Sequence, residues 1–398
     1  MKTRTVLLVL ASIAAAVALV LACGPGGFTP EQQIASVRVL ASRAENDAIY
    51  AQPGETVTLQ TLVVDGRLVK TPAMQLYWIP VVCENPASDE YYECFAPSGD
   101  GGSSGRGGIV NGVIDAGAPL GDDAGTSDAA ASDAAAVGDA TTSDASVNDG
   151  SAEAGEAGSD AGVGSDDAGT SAPSPSPTLT FTVPMDVISQ HQVVQGAPAP
   201  YGLMIAFNVA CAGHLQITSV NPAAGPQQVP IACVDDAGNP LGPDDYVISF
   251  TRVYVYESVR NHNPEIYGLV LNGAETKTFV AGTALPNALA ITVPACGVSC
   301  PAITLDVDVP LSSWEVDPLT KDSSGNSLHE SLWVDYYVLN GNLDSSARLL
   351  YDTTAGQITG KGSTVNYTPP SSGGDTLWAV VHDNRDGVNW LQVNITTQ

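Results

Sequence analysis

Thr178-Leu179-Thr180-Phe181-Thr182-Val183 places apolar side chains at alternate positions with threonine between them. A period of two puts Leu179, Phe181 and Val183 on one face of an extended strand and the hydroxyls on the other. Thr56-Val57-Thr58-Leu59-Gln60-Thr61 repeats the pattern. Leu203, Ile205, Phe207 and Val209 form another such face, as do Ile303, Leu305, Val307 and Val309 with Thr304, Asp306 and Asp308 opposite. These segments are short and are punctuated by Pro, Gly, Asn and Asp. Past the first 22 residues no helical period interrupts them. The series predicts an all-β chain made of two antiparallel β-sandwiches.

Ile34–Ala41, Gln52–Leu59 and Met74–Val82 supply three strands before the pattern stops, with Trp78 a candidate core aromatic. Three strands are too few to bury a core. The first sandwich is therefore expected in two parts, residues 34–97 and 177–260, closing with Tyr246–Tyr256. Asn263-Pro264 breaks the chain, and residues 261–398 form the second sandwich. Its strands are read at Ile266–Leu271, Ser331–Leu339, Ala347–Tyr351, Thr364–Thr368, Thr376–Val381 and Val388–Ile395. Between the two parts of the first, residues 98–176 are almost wholly Gly, Ala, Ser, Asp and Thr. Twelve Asp, two Glu and the single Arg106 give this segment a net of −13, and it lacks aromatic residues. Such a composition cannot offset its ordering entropy and reads as a disordered, solvated insertion in a loop. A calcium-binding acidic repeat would need a fixed period, which is missing.

Gln52-Pro-Gly-Glu-Thr-Val-Thr-Leu59 resembles the second strand of bacterial immunoglobulin-like domains, where Pro-Gly precedes the strand. Leu377-Trp-Ala-Val-Val-His-Asp-Asn-Arg-Asp-Gly-Val-Asn-Trp390 resembles the last hairpin of immunoglobulin-like and PKD-like modules of extracellular bacterial proteins. The PKD signature of the Trp-Asp-Phe-Gly-Asp type is absent. The resemblance implies a fold and no particular activity.

The N-terminus carries Lys2 and Arg4, followed by the uncharged run Val6–Ala22, a secretory signal pattern. It ends Val20-Leu21-Ala22-Cys23-Gly24, which resembles the lipobox of bacterial lipoproteins. That likeness implies a signal peptide over 1–22, diacylglyceryl transfer to the Cys23 sulfur, cleavage after Ala22 and a tether over 23–33. It also implies a lipid-anchored protein of the bacterial cell envelope, with outer-membrane export consistent with the absence of Asp after Cys23. An ordinary cleaved signal peptide is the alternative. Six further cysteines form three local pairs, Cys83/Cys94, Cys211/Cys233 and Cys296/Cys300. In an oxidising compartment these are disulfide candidates, although six cysteines allow fifteen connectivities. Only Cys296/Cys300 approaches zinc-site spacing, and no histidine is near it.

With 43 acidic against 14 basic residues, the net charge is −29. So poor a supply of Lys and Arg excludes nucleic-acid binding through phosphate neutralisation. Five scattered histidines, at 191, 214, 262, 329 and 382, show no metal spacing, and nucleophile elbows and phosphate loops are absent. His382-Asp383 imitates part of a triad but reads as a solvated loop. Asp306 and Asp308 could pair for glycoside cleavage, although an exposed acidic strand face is the commoner use. Calcium is the one cofactor considered, with ligands offered by the turns Asp235–Asp245, Asp322–Asn326 and Asp383–Asp386. Trp314, Trp333, Trp378 and Trp390 fall in the second sandwich, where exposed rings could stack on sugars. The expected function is non-catalytic, structural or interaction-based, with the membrane as one partner through the anchor and an envelope protein or glycan as an unidentified other. A calcium-dependent or carbohydrate-binding adhesin is the alternative, with an envelope hydrolase behind it.

Overall fold

The two alternating stretches become neighbours. In the computed structural model Thr56–Asp65 (β3) runs antiparallel to Thr178–Thr182 (β5), with Val57 opposite Phe181 and Leu59 opposite Leu179. Residues 30–45, 49–95, 175–192, 196–217, 231–278, 289–296 and 300–398 are described. The signal segment 1–22, Cys23 and the acidic insertion up to residue 174 lie outside them.

Two sheets make the first sandwich. One is ordered β1-β3-β5, with β1 spanning Val37–Ala44. The other is ordered β2-β9-β6-β4, from Tyr50–Ala51 (β2), Gln75–Glu84 (β4), Gly202–Cys211 (β6) and Tyr246–Val255 (β9). Val57, Leu59, Leu179 and Phe181 from the first meet Trp78, Met204, Val253 and Val255 from the second in one buried cluster. His214–Ile217 (β7) and Ile231–Val234 (β8) pair beside it. Among the described residues the only α-helix is the four-residue Val187–Gln190.

The second sandwich has a five-stranded sheet, β11-β10-β13-β20-β17, and a six-stranded sheet, β12-β22-β21-β16-β18-β19. These strands are Gly268–Leu271 (β10), Ala274–Thr278 (β11), Leu289–Val293 (β12), Ile303–Asp308 (β13), Leu332–Val338 (β16), Asn342–Leu343 (β17), Ala347–Asp352 (β18), Gly356–Gln357 (β19), Val365–Thr368 (β20), Gly374–Asp383 (β21) and Val388–Thr397 (β22). A hairpin of Val316–Lys321 (β14) and Ser327–His329 (β15) lies outside both sheets. The core joins Leu269, Leu305 and Tyr367 to Val334, Tyr336, Leu377 and Leu391. The pairings are antiparallel except β2 with β9 and β12 with β22, which run parallel.

The sandwiches do not meet end to end through a linker. The outer face of β1 and β3, carrying Leu40, Leu62 and Val64, packs on the outer face of β16, β21 and β22, carrying Tyr337, Trp378, Val380, Val388 and Trp390. Trp378 is 4% exposed and Val380 fully buried. Four sheets are therefore stacked, and the three-stranded sheet is covered on both faces. Gln32 and Gln33, expected in the tether, belong to this body. Gln33 bridges Val338 in parallel, the Val338 N–H donates to Gln32 O and the Ile34 N–H donates to Val338 O, each at 2.9 Å. The reason is the end of β16, whose backbone groups at Val338 take this segment as a partner.

Candidate functional site

The connection after β9 is expected to be a break in the chain, yet Asn261 is fully buried and Asn263 is 7% exposed. Their amides explain the burial. Asn263 donates to Ala44 O at 2.8 Å and accepts from the Val388 N–H at 3.1 Å, tying both sandwiches to one side chain. Asn261 donates to Asp383 Oδ2 at 3.1 Å and to Arg385 O at 2.9 Å. The connection is thus a wedge held by the turn between β21 and β22.

That turn, Asp383-Asn-Arg-Asp-Gly387, corrects the solvated-loop reading of His382-Asp383. Asp383 is 2% exposed, and its Oδ1 accepts the Arg385 and Gly387 N–H groups at 2.7 and 2.8 Å. Gly387 is required, because a Cβ there would collide with the Asp383 carboxylate. Folding the turn on its own aspartate sends Arg385 inward. Its guanidinium donates to Glu330 Oε2 at 2.8 and 2.6 Å, to Glu315 Oε2 at 2.9 Å and to Arg260 O at 3.1 Å. Burial pushes the Glu330 carboxyl up to about 8, with Asp383 adding to the rise and Arg385 opposing it. Asp383 is also raised by burial, against the amides and the guanidinium that hold it. Two buried acids share one arginine at the junction of the sandwiches.

The same turn sends Asp386 the other way. This residue has φ +69°, a left-handed conformation that aspartate tolerates better than most side chains. It borders a cleft of about 320 Å³ between the sandwiches. Val39–Ser42 of β1 and Ser249–Arg252 of β9 form two walls, and Trp333, His382 and Val388 close a third. Asp386 is exposed as a residue, but desolvation of its carboxyl by the crowded walls raises it, with Arg252 opposing. Arg252 lies over the Phe250 ring at 5.1 Å. Thr251 is 8% exposed, and its hydroxyl has no hydrogen-bond partner among the described residues. Trp333 stacks on His382 with ring centroids 5.2 Å apart. His382 Nε2 lies 3.2 Å from Asp335 Oδ2 without hydrogen-bond geometry.

The other expected groups fall elsewhere. Asp306 and Asp308 share a half-buried strand face over a hollow of about 80 Å³, where Ser363 donates to Asp306 at 3.0 Å. Glycoside cleavage needs two carboxyls on opposite sides of a sugar, which this arrangement on one strand does not supply. The calcium-turn candidates at Asp235 and Asp322 hold themselves together. Asp235 Oδ1 accepts the Ala237 and Asn239 N–H groups, Asp322 Oδ1 accepts those of Ser324 and Asn326, and each partner asparagine donates to Oδ2. These bonds hold both carboxyls below the usual range. Among the described residues no group of three His, Cys, Asp or Glu could hold a metal, and no helix is long and apolar enough to cross a membrane. Trp378 and Trp390 face the first sandwich, the latter under the Arg43 guanidinium at 4.2 Å. Trp314 stacks on His329 at 3.8 Å. The pairs Cys83–Cys94, Cys211–Cys233 and Cys296–Cys300 are bonded, with Cα separations of 5.7, 5.8 and 4.8 Å.

Sequence reasoning did not single out Arg385, Glu330 or Arg252, and it read Asp386 only as part of a calcium turn. It also missed a network in which Asp89 takes His191 Nε2 at 2.7 Å and the Tyr201 hydroxyl, beside a pocket of about 170 Å³. Among the described residues no serine, threonine or cysteine lines that pocket.

No family model matches the chain, and no curated protein matches it. Among solved structures, one similar to it is a nucleoside hydrolase-related hypothetical protein from Saccharophagus degradans that is associated with carbohydrate metabolism. The identity is 14% and the TM-score 0.19, over 36% of this chain and 27% of that one. At that score the likeness supports neither a fold nor a functional assignment.

Proposed function

We propose that this chain is a lipid-anchored protein of the bacterial cell envelope, exported to the outer membrane and non-catalytic. Its two sandwiches, of immunoglobulin-like type, act as a rigid body for structure or interaction. The observation that carries this reading is the junction. The Arg385 guanidinium is spent on Glu330 and Glu315 of its own sandwich and on Arg260 O of the connection to the other, and not on a reaction site. The lipobox-like segment ending at Cys23 supports the anchor, because two or three acyl chains, each methylene contributing about 0.8 kcal/mol, hold a protein firmly on a membrane. Labelling cells with a tagged fatty acid tests it. Label is expected on the wild-type chain and absent from Cys23→Ala, and equal label on both refutes lipidation. A second reading, the carbohydrate-binding adhesin, is favoured by the cleft beside Asp386.

A further inference from the structure

The inter-sandwich cleft brings several recognition features together. Along one wall Val39, Leu40 and Ala41 line the cleft, Leu40 and Ala41 also packing between the sandwiches. Along the other, β9 is an edge strand among the described residues, since β2 pairs only with its last two residues, Tyr254 and Val255. Backbone groups on such an edge are open to outside partners. Asp386 and Arg252 provide one carboxylate and one guanidinium that sense each other's charge, yet neither is hydrogen-bonded among the described residues. The Thr251 hydroxyl, on the β9 face that Val253 and Val255 turn to the core, is buried without a partner among the described residues.

An occupant must therefore offer hydroxyl-type groups that donate and accept side by side, an apolar face for the β1 wall, and no net charge to upset the balance of Asp386 with Arg252. A pyranose ring has all three. Its vicinal hydroxyls suit a carboxylate acceptor and a guanidinium donor, and its C–H face suits aliphatic and aromatic walls. A cleft of about 320 Å³ lies at the small end of ligand pockets, which run from about 300 to 1,000 Å³, and so fits one or two sugar rings.

We propose that the cleft between β1, β9 and the β21–β22 turn binds a neutral saccharide, with Asp386 accepting from its hydroxyls, Arg252 donating to them and the β1 wall against its ring face. The proposal deepens the adhesin reading by naming a ligand class, and it does not depend on the anchor. A Cys23→Ala chain that loses its lipid is expected to bind sugar unchanged.

The test uses the full chain in a detergent without a sugar headgroup, titrated calorimetrically with glucose, galactose, N-acetylglucosamine, cellobiose and maltose. Tryptophan fluorescence is followed in parallel, since Trp333 lines the cleft. At least one sugar is expected to bind with millimolar or tighter affinity. Asp386→Asn and Arg252→Gln are each expected to weaken it roughly tenfold or more, the loss typical of a charged hydrogen bond. Asparagine accepts the left-handed backbone at 386, so that variant is expected to keep the wild-type melting temperature. Absence of binding by all five sugars at about 10 mM overturns the proposal. So does binding that neither substitution changes, or preferential binding of glycine, whose ammonium and carboxylate would make the site a zwitterion site.

Discussion

Replacing Glu330 by Gln tests the reading of the junction most directly. Glu330 is fully buried and its carboxyl is raised from 4.5 to about 8. An acid whose folded pKa exceeds its unfolded one holds its proton more tightly in the folded chain. Below pH 4.5 the group is protonated in both states and costs nothing. Between pH 4.5 and about 8 the unfolded chain has released a proton that the folded chain retains, so stability falls as pH rises through that window. At about 1.4 kcal/mol per pKa unit, the fall attributable to Glu330 approaches about 5 kcal/mol at its upper end. Glutamine keeps the shape and an oxygen that accepts from Arg385, but it does not titrate. The difference in unfolding free energy between Glu330→Gln and wild type is therefore expected to be small at pH 4.5 and to grow in the variant's favour toward pH 8. Asp383, also raised by burial, adds a slope of the same sign to both proteins. Urea unfolding followed by tryptophan fluorescence at the two pH limits measures this. A variant less stable than wild type by about 3 kcal/mol at pH 8, the cost of breaking a paired buried ion, would show that Glu330 is ionised there and would refute the reasoning.

Trp378→Ala empties the centre of the contact between sandwiches, where Trp378 is 4% exposed, and is expected to cost about 3 to 5 kcal/mol in denaturant unfolding; a loss below about 1 kcal/mol means that the two bodies are not joined there. Replacing Cys211 and Cys233 together by Ser opens a loop of 22 residues and is expected to cost about 3 kcal/mol through the freed unfolded chain, with the melting temperature of the double variant matching that of reduced wild type at this bond.

The strands were legible because one-sided burial writes itself as alternation. Thr56–Thr61 and Thr178–Val183 carry it plainly, and they pair in the register their apolar residues demand. The stacking of the sandwiches was not read, although a signal was present. Alternation fails at Leu62-Val63-Val64 and across Leu377-Trp378-Ala379-Val380-Val381, and runs that are apolar on both faces mark strands covered on both sides. The junction left no such trace. Asp383-Asn-Arg-Asp-Gly387 has the composition of an exposed hairpin turn, and only the wedge of Asn261 and Asn263 arriving from 122 residues away buries it. The cleft was unreadable for a related reason, since Arg252 and Asp386 are single charges on separate elements whose meeting depends on how the two bodies pack.

The bridge between Gln33 and Val338 bears on how the molecule carries load. Tension applied through the residues before Glu31 reaches the second sandwich first, through Gln32 and Ile34 on Val338, and only then enters β1 in the first. Those bonds belong to a parallel pairing, so a pull along the chain shears them together and does not peel them one by one. The second sandwich therefore takes the strain first, and the first sandwich is loaded only once the bonds at Val338 give way.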